Sequence, residues 1–179
     1  MLKTLALFSS SRRTGNTGRL TDRIASELAI DVVDLGSLRI SPYDYEHRNR
    51  GDDFEPLMQR VLDHDQIIFA TPIYWYAVSP AMKLFLDRIS DLLELPDLVP
   101  EGRRLRGKHA YVVCTSISDE PSGAFMEAFR ETFEYLGMRF GGVVHVNCQN
   151  GYLPITHDPE AVKLAAVVRE ARKICTPFS

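Results

Sequence analysis

The chain has 179 residues, 45% of them hydrophobic and 25% charged, so it can bury a core without disulfides or metal ions. Its net charge of -3 gives no reason to expect nucleic acid or a membrane surface as a partner, and no apolar run approaches the roughly 20 residues of a membrane span. The cysteines, Cys114, Cys148 and Cys175, form no CxxC or Cys/His cluster, so we expect no metal site and a reducing, cytoplasmic compartment.

Strand-like and helix-like segments alternate along the chain. The first strand is predicted over residues 2–8, followed by a hydroxyl-rich loop and a helix over residues 17–29. The remaining strands are predicted over residues 30–35, 66–74, 109–117 and 138–147, and the remaining helices over residues 56–65, 79–93, 123–137 and 159–174. Because the inner strands are apolar throughout, this order predicts a parallel sheet with helices on both faces, in a single domain over residues 1–179.

The charged and polar residues between these apolar segments predict local features. Within the helix over residues 79–93, Asp87 and Arg88 are expected to form an intrahelical or capping charge pair. The polar stretches 41–55 and 94–107 are predicted to be long loops. The histidines are scattered and are expected to be surface or packing residues: His47, His64, His109, His145 and His157.

The loop after the first strand reads SSSRRTGNT over residues 9–17 and is rich in hydroxyl and guanidinium groups. Ligands of open parallel sheets bind beyond the carboxyl ends of the strands, so this loop is a candidate binding site. Its glycines match neither the dinucleotide fingerprint nor the P-loop pattern. The serine hydroxyls, Arg12, and Asn16 and Thr17 at the helix start would suit a terminal phosphate. The alternative is a helix cap with solvated arginines.

The loop after the third strand lies within TPIYWYAVSPAMKLFLDR, residues 71–88, and carries three consecutive aromatic residues, Tyr74, Trp75 and Tyr76. They directly follow a buried strand at the predicted ligand-binding edge. Aromatic rings and a backbone stiffened by proline suit a flat conjugated ring, held by stacking and by backbone amides. The alternative is that the rings fill an apolar interface between subunits.

Together these two loops resemble those of the NADPH-dependent FMN reductase family of flavodoxin-like proteins, which includes quinone, azo and chromate reductases. The resemblance implies a flavodoxin-like α/β fold, a three-layer sandwich whose five-stranded parallel sheet has the order 2-1-3-4-5. It further implies FMN as the cofactor, NADPH or NADH as the electron donor, and a small acceptor such as a quinone, an azo compound, a metal oxyanion or free flavin. It also implies cofactor-binding residues, namely Ser10, Ser11, Arg12, Asn16 and Thr17 at the phosphate, Pro72, Ile73, Tyr74 and Trp75 at the isoalloxazine, and Thr115 and Ser116 after the fourth strand.

The chain departs from the family pattern in both of its polar loops. Ser9 and Ser11 stand where glycine and proline are usual, and the fourth loop, TSISDEPSGAF over residues 115–125, lacks the paired glycines that often approach the flavin. No cysteine cluster for an iron-sulfur centre is present in the sequence, so electrons would come from a nicotinamide or another protein. We assign no acid or base catalyst, because the cofactor itself performs hydride transfer.

Two other functions remain open on the sequence. A flavodoxin-type electron carrier would bind the same FMN, although such carriers usually have a strongly acidic surface. An FMN-binding regulatory protein without reductase activity is also consistent with the departures in the pocket. A phospho-acceptor receiver domain is disfavoured, because it needs acidic residues after the first strand. Since the family commonly forms dimers or tetramers, and neighbouring exposed rings usually mark an interface, we expect a homodimer or homotetramer.

Overall fold

The computed structural model describes residues 2–174, and Cys175 lies outside them. Five parallel strands form one sheet in the order β2-β1-β3-β4-β5, which confirms the predicted order. The strands are β1 (Thr4–Phe8), β2 (Val32–Asp34), β3 (Gln66–Pro72), β4 (His109–Ser116) and β5 (Arg139–Asn147). The helices are α1 (Asn16–Leu28), α2 (Phe54–Leu62), α3 (Pro80–Arg88), α4 (Asp91–Glu94), α5 (Val99–Gly102), α6 (Gly123–Tyr135) and α7 (Pro154–Ile174), with 3-10 turns at Leu35–Ser37 and Arg103–Leu105.

The core has two halves, one on each face of the sheet. Side chains alternate between the faces of a strand, so Leu5 and Leu7 pack against α2, α3 and α6, whereas Ala6 and Phe8 pack against α1 and α7. Both faces are therefore buried, as the continuous apolar strands predict, and the three-layer sandwich is confirmed. Among residues 2–174, no helix combines the length and the apolar character needed to cross a membrane.

The register of the sheet brings the carboxyl ends of the central strands to one edge. β1 ends at Phe8, Pro72 of β3 pairs with Thr115 of β4, and Ser116 pairs with Asn147 of β5. All five strands are parallel, so the loops after β1, β3 and β4 leave the sheet on the same side. This edge holds the candidate site.

The prediction of a single helix over residues 79–93 is wrong, because α3 ends at Arg88 and a separate helix, α4, begins at Asp91. The predicted pairing of Asp87 with Arg88 is also wrong. Asp87 instead forms an ion pair with Lys83, one helical turn earlier. The stretch 94–107, predicted to be a loop, contains α5 and a 3-10 turn.

Arg88 is buried at the junction of α3 and α4, with its side chain 1% exposed. Its guanidinium binds two carboxylates, with Nη1 2.6 Å from Asp52 Oδ2 and Nε 2.7 Å from Asp91 Oδ2. It also donates to the backbone carbonyls of Ser41 and Asn49 at 3.2 and 3.1 Å. The long loop before α2 is therefore attached to the α3–α4 junction through one side chain. A sequence pattern cannot reveal this, because most of the partners lie in a distant polar segment.

Candidate functional site

A cavity of about 540 Å³ opens at the carboxyl edge of the sheet, between the loops after β1, β3 and β4. Its volume lies within the range of small-molecule sites. Every sequence-predicted site residue except Ser11 lines it: Ser10, Arg12, Asn16, Thr17, Pro72, Ile73, Tyr74, Trp75, Thr115 and Ser116. Ser11 is exposed beside the cavity, and its backbone nitrogen lies 3.4 Å from the Tyr74 hydroxyl.

The first turn of α1 faces this cavity without a side-chain cap. Gly15 is the N-cap residue, and the first turn contains no acidic residue. The backbone N–H groups at this end therefore present partial positive charge to the cavity. Gly18 is required here, because a Cβ at this position would lie 1.8 Å from the carbonyl oxygen of Arg13. The loop hydroxyls do not cap the helix, so that part of the alternative interpretation is wrong.

The two consecutive arginines of the first loop have different surroundings. Arg13 binds the Asp22 carboxylate, with Nη1 3.0 Å from Oδ2, and its guanidinium lies over the ring of Phe8, 4.9 Å from the centroid. Arg12 is exposed at the cavity and has no acidic partner among residues 2–174. Arg12 therefore supplies a cation that the fold itself does not use.

Several hydroxyl groups of the site are bonded to one another. Ser9 is buried, and its Oγ lies 2.6 Å from Ser79 Oγ, which also receives a hydrogen bond from Thr71 at 3.0 Å. Thr17 Oγ1 and Thr115 Oγ1 lie 2.7 Å apart, and both residues are buried. These bonds fasten the first loop to β3, to β4 and to the start of α3.

Asn16 has a side-chain amide that is oriented by the chain after β5. Its Oδ1 accepts a hydrogen bond from the backbone nitrogen of Tyr152 at 3.1 Å. The amide oxygen is thereby engaged, which leaves Nδ2 as the end that can donate to a ligand. Asn16 and the half-buried Ser10 therefore remain as side-chain donors beside Arg12.

The aromatic residues after β3 form a tight turn. Tyr74 and Ala77 exchange backbone hydrogen bonds of 2.9 and 3.0 Å, and the two residues between them have positive φ angles, +48° at Trp75 and +63° at Tyr76. Large side chains rarely occupy this region, so the turn stores strain. The Trp75 and Tyr76 side chains stand at the cavity mouth, 93% and 70% exposed.

The loop after β4 is held by two side chains of β5 that the sequence interpretation did not assign to the site. His145 Nε2 lies 2.8 Å from Ser116 Oγ, and Asn147 Nδ2 donates to Asp119 Oδ1 at 2.9 Å. Burial lowers the pKa of His145, although a hydrogen bond to the Asp119 backbone opposes the shift. His145 and Asn147 are alternate residues at the carboxyl end of the last strand, and this position is the sequence signal that could have assigned them to the site. None of the five histidines lines the cavity itself, and His145 reaches it only through Ser116.

A parallel sheet of order 2-1-3-4-5, with a cavity beyond β1, β3 and β4 and an uncapped helix beside it, defines a flavodoxin-like protein. The model of the family described as NADPH-dependent FMN reductase matches residues 2–152. The chain belongs to this family. It is an FMN-dependent NAD(P)H oxidoreductase, so the resemblance and the assignment of FMN and nicotinamide are confirmed.

A curated relative agrees with this assignment, and solved structures share the fold. YwqN of Bacillus subtilis (strain 168), named as a candidate NAD(P)H-dependent FMN-containing oxidoreductase, is 30% identical over 152 residues, covering 80% of this chain and 83% of YwqN. The Trp repressor binding protein from Bacillus subtilis is similar with a TM-score of 0.69 and 26% identity, covering 90% of this chain and 94% of that one. An FMN-dependent NADH-azoreductase from Bacillus anthracis str. Ames Ancestor, solved with FMN, shares the fold with a TM-score of 0.68 and 12% identity, over 96% and 100% of the two chains.

Proposed function

We propose that this cavity binds FMN and that the enzyme uses NADPH or NADH to reduce a flat conjugated acceptor, such as a quinone or an azo compound. The observation that carries the proposal is the division of the cavity. One end has an uncapped helix and Arg12, which has no acidic partner among residues 2–174, and the other has Pro72, Ile73 and Trp75. FMN has the same division between its phosphate and its ring, and when bound it supplies hydride transfer.

The phosphate end would use charge and oriented donors. Arg12 offers a guanidinium that binds no carboxylate of residues 2–174, Ser10 offers its hydroxyl, and Asn16 offers Nδ2. We assign Thr17 a contact through its backbone N–H group, because its hydroxyl is bonded to Thr115. We assign Ser11 a contact through its backbone N–H group as well, because that nitrogen lies 3.4 Å from the hydroxyl of Tyr74, which lines the cavity. A phosphate at a helix N-terminus with charge-assisted bonds is a strong anion site.

The ring end would use backbone and apolar surface. Ile73 is fixed by its backbone nitrogen, which donates to the carbonyl of Thr115 at 2.9 Å. The hydroxyls of Thr115 and Ser116 are both engaged within the protein, so we assign their role to the backbone and to the wall that they form. Trp75 lies at the mouth of the cavity, where it would cover the ring and exclude water.

The residues at the cavity mouth favour one class of electron acceptor. Trp75, Tyr76 and Ile117 are highly exposed there, and the carboxylate of Glu120 also lines the cavity. Aromatic side chains favour flat conjugated acceptors by stacking. Glu120 would repel a metal oxyanion, so a quinone or an azo compound is favoured over chromate.

The test is a titration of the protein loaded with FMN. Under anaerobic conditions, NADPH or NADH should bleach the visible absorbance of the bound flavin, and a benzoquinone or an azo dye should restore it faster than chromate does. Failure of both nicotinamides to reduce bound FMN, with reduction by a protein donor, would favour the electron carrier. Faster reoxidation by chromate would contradict the acceptor class, and a lack of FMN binding would contradict the whole proposal.

We also propose a homodimer or homotetramer in which the aromatic turn helps to form the interface. The proposal is supported by the exposure of Trp75, Tyr76 and Ile117 at one mouth, an apolar patch of the kind that marks interfaces. Trp75→Ala should then weaken association and FMN binding together, whereas Tyr135→Ala, at an exposed ring of α6, should change neither. Analytical ultracentrifugation that finds only a 20.3 kDa species with FMN tightly bound would contradict it.

A further inference from the structure

We propose that the Tyr74 hydroxyl belongs to the phosphate end of the cavity, as a hydrogen-bond donor to the terminal phosphate of FMN. The family resemblance implies that Tyr74 lines the isoalloxazine instead. The inference deepens the proposed function and rests on it, because it needs FMN in this cavity. It makes Tyr74 a residue that selects the phosphorylated flavin over riboflavin.

The turn after β3 separates Tyr74 from the two aromatic residues that follow it. The paired hydrogen bonds between Tyr74 and Ala77 fix the backbone, and the left-handed conformations of Trp75 and Tyr76 reverse the chain. Tyr74 is 37% exposed, whereas Trp75 and Tyr76 are 93% and 70% exposed. Three consecutive rings therefore do not share one role, and only Tyr74 reaches back across the cavity to the first loop.

The contacts of the Tyr74 hydroxyl are with the predicted phosphate loop. Its oxygen lies 3.4 Å from the backbone nitrogen of Ser11 and 3.5 Å from Ser10 Oγ. Both distances are at the long end for hydrogen bonds, so these groups can turn to a stronger acceptor. Backbone N–H and serine hydroxyl groups are donors that bind phosphate oxygens. The Tyr74 oxygen lies close to two such donors, so a phosphate oxygen that binds them would lie beside the Tyr74 hydroxyl. A phosphate beside it would receive the phenolic proton.

The electrostatic surroundings of Tyr74 agree with this placement. Burial raises the pKa of the phenol, but the hydrogen bonds from Ser10 and Ser11 and the charge of Arg12 lower it by more. The position therefore stabilises negative charge on an oxygen atom, which is the property that a phosphate site needs.

The test compares Tyr74→Phe with Tyr135→Phe, a control at an exposed tyrosine of α6 that does not line the cavity, by calorimetric titration of each variant with FMN and with riboflavin. Tyr74→Phe should weaken FMN binding about 10-fold, the effect of one hydrogen bond to a charged group, and should leave riboflavin binding unchanged. Tyr135→Phe should change neither affinity. Thermal denaturation of the free proteins should show equal stability.

The outcomes separate the inference from the proposed function. Wild-type protein that does not bind FMN overturns the proposed function, and the inference with it. Wild-type protein that prefers FMN, with an equal preference in Tyr74→Phe, overturns the role of Tyr74 alone. Equal losses for FMN and riboflavin would place Tyr74 at the ring. Tighter FMN binding by Tyr74→Phe would show that the hydroxyl competes with the phosphate.

Discussion

Arg12 and Arg88 show two opposite uses of the same side chain. Arg88 is buried, binds Asp52 and Asp91, donates to two carbonyl groups and lies over the ring of Phe54 at 4.7 Å. Arg12 is exposed at the cavity and has no acidic partner in the part of the chain that the structure describes. The fold pairs the first cation with two carboxylates and leaves the second available to a ligand.

The contrast separates stability from binding. A buried cation whose partners are all present contributes to the folded state, because its removal leaves carboxylates buried and unpaired. An exposed cation beside an uncapped helix contributes little to folding, and its favourable interaction free energy is gained only when an anion binds. Substitutions in the two regions should therefore affect different measurements.

The largest effect is expected for Arg88→Ala. Loss of the guanidinium leaves Asp52 and Asp91 without their cation, so the free energy of unfolding should fall by about 3–5 kcal/mol. Urea denaturation measures the loss. Arg48→Ala is the matched control, because Arg48 pairs with Asp44 at a side chain that is 73% exposed, and it should change stability little. Equal losses in the two variants would remove the distinction between the buried and exposed regions.

The second-largest effect is expected for Arg12→Ala, and it should appear in FMN binding and not in stability. Loss of a charge-assisted bond to phosphate should weaken FMN binding by about 1.5–3 kcal/mol, or roughly 10- to 100-fold, with unchanged stability of the free protein. Arg13→Ala is the control, since Arg13 is already bound to Asp22. FMN binding that is equal in wild type and Arg12→Ala would show that the phosphate loop is assigned wrongly.

Tyr76→Gly tests whether the turn after β3, at the cavity mouth, stores strain. Glycine adopts a positive φ without steric cost, so the free energy of unfolding should rise by about 1 kcal/mol. Ala77→Gly, at the end of the same turn and outside the left-handed region, should give no gain. Chemical denaturation measures both, and a loss of stability in Tyr76→Gly would mean that the turn is relaxed.

The smallest effect concerns pH and His145. Burial lowers the folded-state pKa of His145 below its ordinary value of 6.5, so the unfolded state takes up the proton first as pH falls. Its contribution to stability is present above pH 6.5 and is lost as pH decreases toward the folded pKa. Unfolding of His145→Gln, measured across this range, should depend less on pH than unfolding of the wild type. His109, whose pKa is also lowered by burial, is common to both proteins and cancels. Identical pH dependences of unfolding in the wild type and His145→Gln would contradict a lowered pKa for His145 in the folded state.

Much of the fold could be predicted, because its signals are local. Leu20, Ile24 and Leu28 all lie in α1 and are buried, as their spacing predicts. Errors came where tertiary partners outweighed the local pattern. Arg88 has a helical position that resembles a surface site, yet it is buried with Asp52, which lies 36 residues away in sequence. His145 carries no motif, and only the pairing of β4 with β5 brings it to Ser116.

The sequence by itself determined the order of strands and helices, the edge of the sheet where a ligand binds, and the family. These depend on apolar periodicity and on two contiguous loops, which a chain displays without folding. Only the tertiary structure decided which polar groups of those loops are available. Ser9 bonds to Ser79 across 70 residues, and Thr17 bonds to Thr115 across 98. Hydrogen bonding depends on distance in space, so the sequence names the donors but cannot show which of them are already paired.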